Sequence, residues 1–314
     1  MIRNMNTDQY NNFQDMCDEQ KKIEKEEGKA RLRKVIFITD MILLVVFSAI
    51  IVFCLINTKK DEVDPDVSNS VENPRIDINN NKVTYDVIEF GSYPQNVSHT
   101  DDVSALDAED YEPIQWYVLS VDDNVATCLA VDCLDVKEFN ESDKAVFYLQ
   151  SSLREWLNND FLTNAFTAEE LSALVPVKPI SNKAGESEKK LYEEEGVDDK
   201  VTLLTEEELT DVKMGFCAGN KMSGIRTANG TQFAGDEQVQ ATYWVRDIGE
   251  KKADVIKAGD TKYGGMYIGN SGCLSHNATF YTKKLGVRPV IHVDLSNAEY
   301  KKVGSERLEF EISE

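Results

Sequence analysis

Six cysteines are the first side chains in this sequence that could carry redox chemistry. Cys128 and Cys133 lie five positions apart, but an odd spacing in a strand turns two side chains to opposite faces of the sheet. This spacing disfavours a paired redox centre. Cys217 and Cys273 lie in the Gly-rich half of the chain and are candidates for a disulfide outside the cell, with buried free thiols as the alternative.

The sequence gives weaker support for a hydrolytic centre or a metal centre. Ser271 lies in a Gly-Asn-Ser-Gly turn, but a serine nucleophile needs a histidine base and an orienting carboxylate, and neither His99 nor His276 has that context. No phosphate-binding loop, His-Glu-x-x-His or EF-hand spacing occurs. Loop carboxylates could still bind calcium without such a motif: Asp236, Glu237, Asp247 and Asp260. We expect no catalytic set, no bound metal and no cofactor.

Aromatic and arginine side chains in the irregular carboxyl-terminal half are the candidates for ligand contact. They are Tyr243, Trp244, Arg246, Tyr263, Tyr267, Tyr281 and Arg288. Aromatic rings stack on sugars or anchor peptides, and they also fill cores. Arg246 and Arg288 lie among apolar residues, so each guanidinium must be paired with groups of the fold or with a ligand. The sequence leaves both alternatives open.

The composition of the chain excludes one class of partner. Its 314 residues carry 34 Lys and Arg against 56 Asp and Glu, a net charge of −22, and this excess repels a nucleic-acid backbone. A hydrophobic content of 41% is sufficient for a packed core, and six cysteines are too few for a disulfide scaffold. The sequence predicts a folded, acidic protein that does not bind nucleic acid.

A single apolar stretch, residues 35–56, predicts a transmembrane helix. It begins at Val35, ends at Ile56 and is interrupted only by Thr39, Asp40 and Ser48, which is long enough for a helix to span a bilayer core of about 30 Å. Seven Lys and Arg residues lie between residues 21 and 34, and only Lys59 and Lys60 closely follow the span. This asymmetry places the amino terminus in the cytoplasm and exports the rest of the chain.

The domain organisation follows from this anchor. Residues 1–34 are a cytoplasmic tail, and residues 57–82, rich in Asp, Asn, Ser and Pro, form a flexible tether. Residues 83–314 form one extracytoplasmic α+β domain with short strands and two to three helices. We expect a hairpin between residues 114 and 131, helices at 151–157 and 168–174, a charged loop or solvated insertion at 181–200, a helix after Thr205 and a final strand at 287–295.

Five short motifs appear in order along this domain. They are Phe90-Gly91-Ser92-Tyr93-Pro94-Gln95, Pro113-Ile114-Gln115-Trp116, Ser152-Leu153-Arg154-Glu155-Trp156-Leu157-Asn158, Trp244-Val245-Arg246 and Gly286-Val287-Arg288-Pro289. The series resembles, over about residues 85–295, a bacterial surface family known as domain of unknown function 6273. The last two motifs also resemble the end of the formylglycine-generating-enzyme branch of the C-type lectin-like fold, which implies that fold without conferring an activity.

Three functional hypotheses follow. The first is a non-enzymatic, membrane-anchored surface module that binds an extracellular glycan or protein through the Gly- and aromatic-rich loops. The second is an envelope enzyme with a noncanonical site, which a polar pocket of mutually hydrogen-bonded titratable groups would favour. The third is a structural subunit of a membrane complex.

Overall fold

The computed structural model describes most of the chain beyond residue 68. The described residues are 69–142, 146–180, 184–219, 221–235, 241–249, 264–268, 273–278 and 284–312, all within one compact unit, Val67–Glu314. The predicted tail, the predicted membrane span at 35–56 and the first part of the predicted tether lie outside them. Within the described residues, no helix combines the length and apolar character needed to cross a membrane.

Strands make up most of the regular structure, with few helices. In chain order the strands are β1 (Arg75–Asp77), β2 (Lys82–Pro94), β3 (Tyr111–Asp122), β4 (Val125–Ala130), β5 (Asp135–Lys137), β6 (Val201–Thr202), β7 (Tyr243–Gly249), β8 (Gly264–Ile268), β9 (Leu274–Ala278), β10 (Leu285–Val287), β11 (Val290–Asp294) and β12 (Lys301–Glu309). The α-helices of the described residues are α1 (Ser152–Trp156), α2 (Leu162–Ala165), α3 (Ala168–Ala173) and α4 (Glu186–Glu195). A π-helical turn, Leu157–Phe161, joins α1 to α2. The fold class is mixed α+β.

Two sheets organise the strands. Sheet A has the order β1-β2-β3-β4-β11-β6, and β12 also pairs with β2. Sheet B has the order β5-β10-β7-β8-β9, in which β10 and β7 run parallel. Only Arg288 and Pro289 separate β10 from β11, so the chain passes from sheet B to sheet A across this dipeptide.

The predicted hairpin is confirmed as β3 and β4. Asp122 pairs with Val125, so the turn consists of Asp123 and Asn124. Both turn residues have positive φ angles, 45° and 66°. A two-residue hairpin turn needs this conformation to match the twist of its strands, and Asp and Asn tolerate it better than other residues with a side chain.

The helices predicted near residues 151 and 168 are confirmed with their caps. Ser151 Oγ accepts a hydrogen bond from Arg154 N at 3.1 Å, and Thr167 forms a capping box with Glu170. Thr205 Oγ1 accepts a hydrogen bond from Glu208 N at 3.1 Å, but a short 3₁₀ turn, Glu208–Thr210, follows it instead of the expected α-helix. That turn is short because Asp211 directly caps a second 3₁₀ turn.

Two predictions from charged sequence were wrong. The segment expected to be a loop at 181–200 contains α4, a helix without buried residues that ends where Gly196 adopts a positive φ of 54°. The strand expected to be the last, at 287–295, is followed by a further strand, β12. β12 is an edge strand, and its charged sequence did not indicate a strand. The described part of the predicted tether, 69–82, is folded as well, because β1 pairs with β2.

Both faces of sheet A are covered. Side chains alternate along a strand, so Ile88 and Trp116 pack in a first core cluster with Leu153 and Phe161 of the α1–α2 segment. Tyr117 belongs to the second cluster, on the other face, with residues from the irregular segment 204–228. The α1–α2 segment is therefore held in a fixed position against sheet A.

The carboxylate of Asp86, on β2, binds groups from both ends of the domain. This fully buried carboxylate accepts hydrogen bonds from Arg75 Nη2 at 2.8 Å, Lys302 Nζ at 2.8 Å, Ser305 Oγ at 2.7 Å and Glu72 N at 3.0 Å. Burial alone would raise the pKa of Asp86, but these hydrogen bonds outweigh it and lower the pKa to about 2. The segment before β2 and the strand β12 are thus fastened to one carboxylate.

Asp86 makes the stability of the domain depend on acid. Its pKa of about 2 in the fold lies below the value of about 3.9 in an unfolded chain. The stabilisation is complete above about pH 4 and is lost as the pH falls towards about 2. Asp86→Asn should lower the free energy of unfolding at neutral pH by roughly 3 kcal/mol and should remove this contribution to its decline in acid, as measured by chemical denaturation of the full chain.

The matched control is Glu89→Gln, which removes a carboxylate of the same strand that pairs with the exposed Lys301. Its cost should stay below about 1 kcal/mol. Equal costs for the two variants would contradict the assignment of Asp86.

Candidate functional site

Tyr243 and Trp244, two of the predicted ligand contacts, are buried in the fold. Trp244 is 1% exposed, its Nε1 donates to the Lys137 carbonyl at 2.7 Å, and its ring packs edge-on against Phe139. Tyr243 is 2% exposed, and its hydroxyl donates to the Arg226 carbonyl at 2.8 Å. In this structure both rings fill the core, which is the alternative that the sequence left open.

Arg288 is 1% exposed, and backbone carbonyls satisfy its guanidinium. Nε donates to Ala130 O at 2.7 Å, Nη1 to Ile225 O at 2.7 Å and Nη2 to Val131 O at 3.0 Å. Nη1 also lies 3.3 Å from the Tyr243 hydroxyl. Arg288 thus ties the crossing between the sheets to the end of β4 and to the irregular segment before β7.

Arg226 is a second buried arginine, which sequence reasoning missed. It is completely buried, and it donates to the carbonyls of Leu209 at 2.8 Å, Cys217 at 2.8 Å and Gly219 at 2.7 Å. A guanidinium has five donors in a planar fork, so one side chain can order several turns of irregular chain.

Arg246 has weaker partners. It is 8% exposed, its Nη2 lies 3.5 Å from Glu208 Oε2, and its Nε has no hydrogen-bond partner within the described part of the chain. Glu188 of α4 lies close enough to be influenced by it. Burial, reinforced by the charge of Asp247, raises the pKa of Glu188 to about 7, against the opposing effect of Arg246. Arg246 belongs to a charge cluster inside the fold.

Of the remaining predicted residues, the structure describes Tyr267, Cys217 and Cys273. Tyr267 is half-buried and packs against the first core cluster, and Tyr263 and Tyr281 lie outside the described residues. Cys217 and Cys273 are both free thiols in the structure, and Cys217 Sγ contacts the Lys221 carbonyl at 3.2 Å.

An open cavity of about 740 Å³, which we call the acidic pocket, lies among residues 100–104, β5 and the α1–α2 segment. Among the described residues, six carboxylates line it, against two lysines: Asp101, Asp102, Asp135, Glu138, Glu141 and Asp160, with Lys137 and Lys284. Trp156, Tyr93, Thr100, Ser104 and Asn164 add an aromatic face, hydroxyls and an amide. Its volume falls within the range of about 300–1,000 Å³ that is typical of small-ligand sites.

Asp135 is the best-connected group of the acidic pocket. It is 1% exposed and accepts from the Tyr93 hydroxyl at 2.7 Å and from its neighbour Val136 N at 2.7 Å. The Tyr93 hydroxyl binds Oδ2, whereas Val136 N binds Oδ1, and His99 Nε2 also lies 3.2 Å from Oδ1. Burial, and then the charge of Asp135, raises the pKa of Tyr93 far above its ordinary value, so this phenol remains a donor.

Trp156 and Lys137 form the aromatic wall. The Lys137 ammonium lies 4.9 Å from the centre of the Trp156 ring, within the range of a cation–π contact. The same ammonium is 3.7 Å from Asp135 Oδ1. The ring also packs against Phe161, so its position is fixed by the π-helical turn that follows α1.

Local structure explains how these side chains converge. Asp135 and Lys137 are two positions apart on β5, so their side chains lie on the same face of the strand. β5 is held in register because both residues pair with β10. Trp156, Asp160 and Asn164 follow at four-residue intervals along the α1–α2 segment and face the same cavity. A π-helical turn inside an α-helix often accompanies a functional site.

The acidic pocket can recognise hydroxyl and cationic groups. Carboxylates accept hydrogen bonds, Thr100 and Ser104 offer hydroxyls, and the tryptophan face accommodates a sugar ring or a cation. Within the described residues, no group of three or more His, Cys, Asp or Glu side chains is arranged to hold a metal ion.

The comparisons with known proteins identify a family. The family model described as domain of unknown function DUF6273 matches residues 117–295, more than half of the chain. The chain belongs to this family. The DUF6273 match includes Asp135, Lys137 and Trp156 of the acidic pocket and the last three of the five motifs, but it begins after the first two. No curated protein and no solved structure matches the chain.

Loss of the charge should destabilise the fold to different extents at Arg288 and Arg246, the two arginines of the predicted site. Arg288→Met leaves three buried carbonyls without a donor, so it should lower the free energy of unfolding by roughly 3–5 kcal/mol or prevent folding. Among the described residues, Arg246→Met removes one long contact, to Glu208, and an Nε without a hydrogen-bond partner, so its cost should be smaller than that of Arg288→Met. Thermal and chemical denaturation of the two variants would check this order, and the reverse order would contradict it.

Proposed function

We propose that the chain is a membrane-anchored, non-enzymatic surface module that binds an extracellular glycan in the acidic pocket. The apolar stretch at 35–56, the cationic residues before it and the tether-like composition after it support the anchor and its direction. The open cavity with a tryptophan wall supports the binding role. This cavity is the single observation on which the proposal depends.

Several properties of the acidic pocket favour a glycan. Sugar rings present apolar faces to aromatic side chains and hydroxyls to carboxylates, and the pocket offers both kinds of partner around one open cavity. A protein ligand, the other class expected from the sequence, would need a flatter and larger contact surface. The predicted loop residues Tyr243 and Trp244 contribute to this function by packing, since their rings are buried.

We also keep the C-type lectin-like fold as a proposal for this domain. The mixed α+β composition, the short strands and the long irregular segments are compatible with it, and so are the buried Trp244 and Arg288 of the closing motifs. The relation to the formylglycine-generating branch rests on those motifs alone.

An envelope enzyme is the second candidate, and one observation favours it. Tyr93 and Asp135 line the acidic pocket, and the Asp135 carboxylate contacts both the Tyr93 hydroxyl and the His99 imidazole. A buried carboxylate that orients an imidazole is a common arrangement for general-base catalysis. A membrane-complex subunit remains the third candidate, without a specific observation in its favour.

Removing the tryptophan face should test the binding function. Trp156→Ala should weaken glycan binding by roughly tenfold or more, because a stacked aromatic ring is a typical hot spot. Glycan-array screening followed by calorimetry on the full chain in detergent would measure the change. Tyr192→Ala is the matched control, since this ring lies on α4, stacks against Lys178 and does not line the cavity.

Two results would contradict this proposal. The first is the absence of binding to any glycan on the array by a folded chain. The second is turnover of a bound glycan that is abolished by His99→Asn, which would select the enzyme candidate instead.

The topology has its own test. Protease added to intact cells should digest the region after residue 60 and spare residues 1–34, because the cations before the span hold that end inside. Protection of the carboxyl-terminal region with loss of the first residues would contradict both the orientation and the surface role.

A further inference from the structure

We infer that the glycan bound by the acidic pocket carries free amino groups, and that one ligand ammonium occupies the position over Trp156 that the side chain of Lys137 now fills. This inference rests on the proposed function and specifies the ligand class. It is carried by the geometry of three groups: an aromatic ring, a buried carboxylate and an ammonium that belongs to the protein itself.

The position over Trp156 is built to receive a cation. The tryptophan ring supplies a negative face 4.9 Å from the ammonium nitrogen. Asp135 supplies a carboxylate oxygen at 3.7 Å, and this carboxylate is held rigidly by the Tyr93 hydroxyl and by a backbone amide. Ring and carboxylate come from different elements, the α1–α2 segment and β5, so the fold itself brings them together.

Lys137 can leave this position without disturbing the fold. A separation of 3.7 Å is too long for a hydrogen bond to Asp135, and the side chain is 20% exposed on a flexible four-carbon stem. Its backbone is fixed independently, because the residue pairs with Leu285 and its carbonyl accepts the Trp244 indole hydrogen bond. Only the side chain has to move when a ligand enters.

The rest of the cavity favours the same ligand. Among the described residues, six carboxylates and two lysines line it, so an amino sugar gains an ionic attraction that a neutral sugar lacks, and an anionic sugar is repelled. A glycan combines the two features that the pocket offers, a ring for the tryptophan face and hydroxyls for Thr100, Ser104 and Asn164.

The test compares a glucosamine hexasaccharide with its fully N-acetylated form, by calorimetry on the full chain in detergent. The amino form should bind at least about tenfold more tightly and should weaken as salt is raised. Lys137→Met should increase affinity for the amino form about fivefold, because the competing ammonium is removed while the stem still packs on the ring. Lys284→Met, which removes a lysine that lines the same cavity, should have a smaller effect.

Three results would overturn the inference. Equal affinity for both hexasaccharides, with both lost in Trp156→Ala, would leave the glycan-binding function intact and remove the amino-group requirement. An unchanged or lower affinity in Lys137→Met would show that no ligand ammonium competes for the position over Trp156. An equal gain in affinity in Lys137→Met and in Lys284→Met would show that the effect comes from the net charge of the cavity and not from the position over Trp156.

Discussion

The arrangement of the two sheets depends on the hydrogen bonds of the buried Arg288 guanidinium. It lies at the dipeptide where the chain leaves β10 of sheet B and enters β11 of sheet A, and it pairs there with three backbone carbonyls. β10 in turn holds β5, which carries Asp135 and Lys137 into the acidic pocket. The geometry of the pocket is therefore linked, through one short strand, to a charge buried in the core.

Much of the local structure could be predicted because its causes are local. Alternating apolar residues around Asp122 and Asp123 specify the hairpin. The i, i+3, i+4 spacing of Leu153, Trp156 and Leu157 indicates the first helix, and Thr167 caps the second. The interior position of Arg288 was also readable, since a guanidinium between apolar residues must find partners. The charged element α4 escaped prediction because it has no buried residue, and β12 escaped because it places only the partly buried Val303 and Leu308 against the second cluster, so neither leaves a clear apolar period.

The candidate site was harder to predict because its parts are distant in sequence and individually ordinary. Tyr93, Asp135 and Trp156 lie on three separate elements, and no spacing rule connects a strand end, a short strand of sheet B and a helix. The aromatic residues that drew attention, Tyr243 and Trp244, have the same composition as a ligand surface and pack in the core instead. Only tertiary structure separates these two uses of an aromatic side chain.

The group of hydrogen bonds and ion pairs around Asp86 also has a mechanical consequence. The chain that precedes residue 69 enters the fold through a segment whose Glu72 and Arg75 bind that carboxylate, together with Lys302 of β12. Tension transmitted along the preceding chain therefore meets the hydrogen bonds of Asn69 with Tyr300 and Lys302, and then this ionic junction. The junction shares the force between β2 and β12, so pulling on the protein loads this amino-terminal edge before it reaches the strands of sheet B.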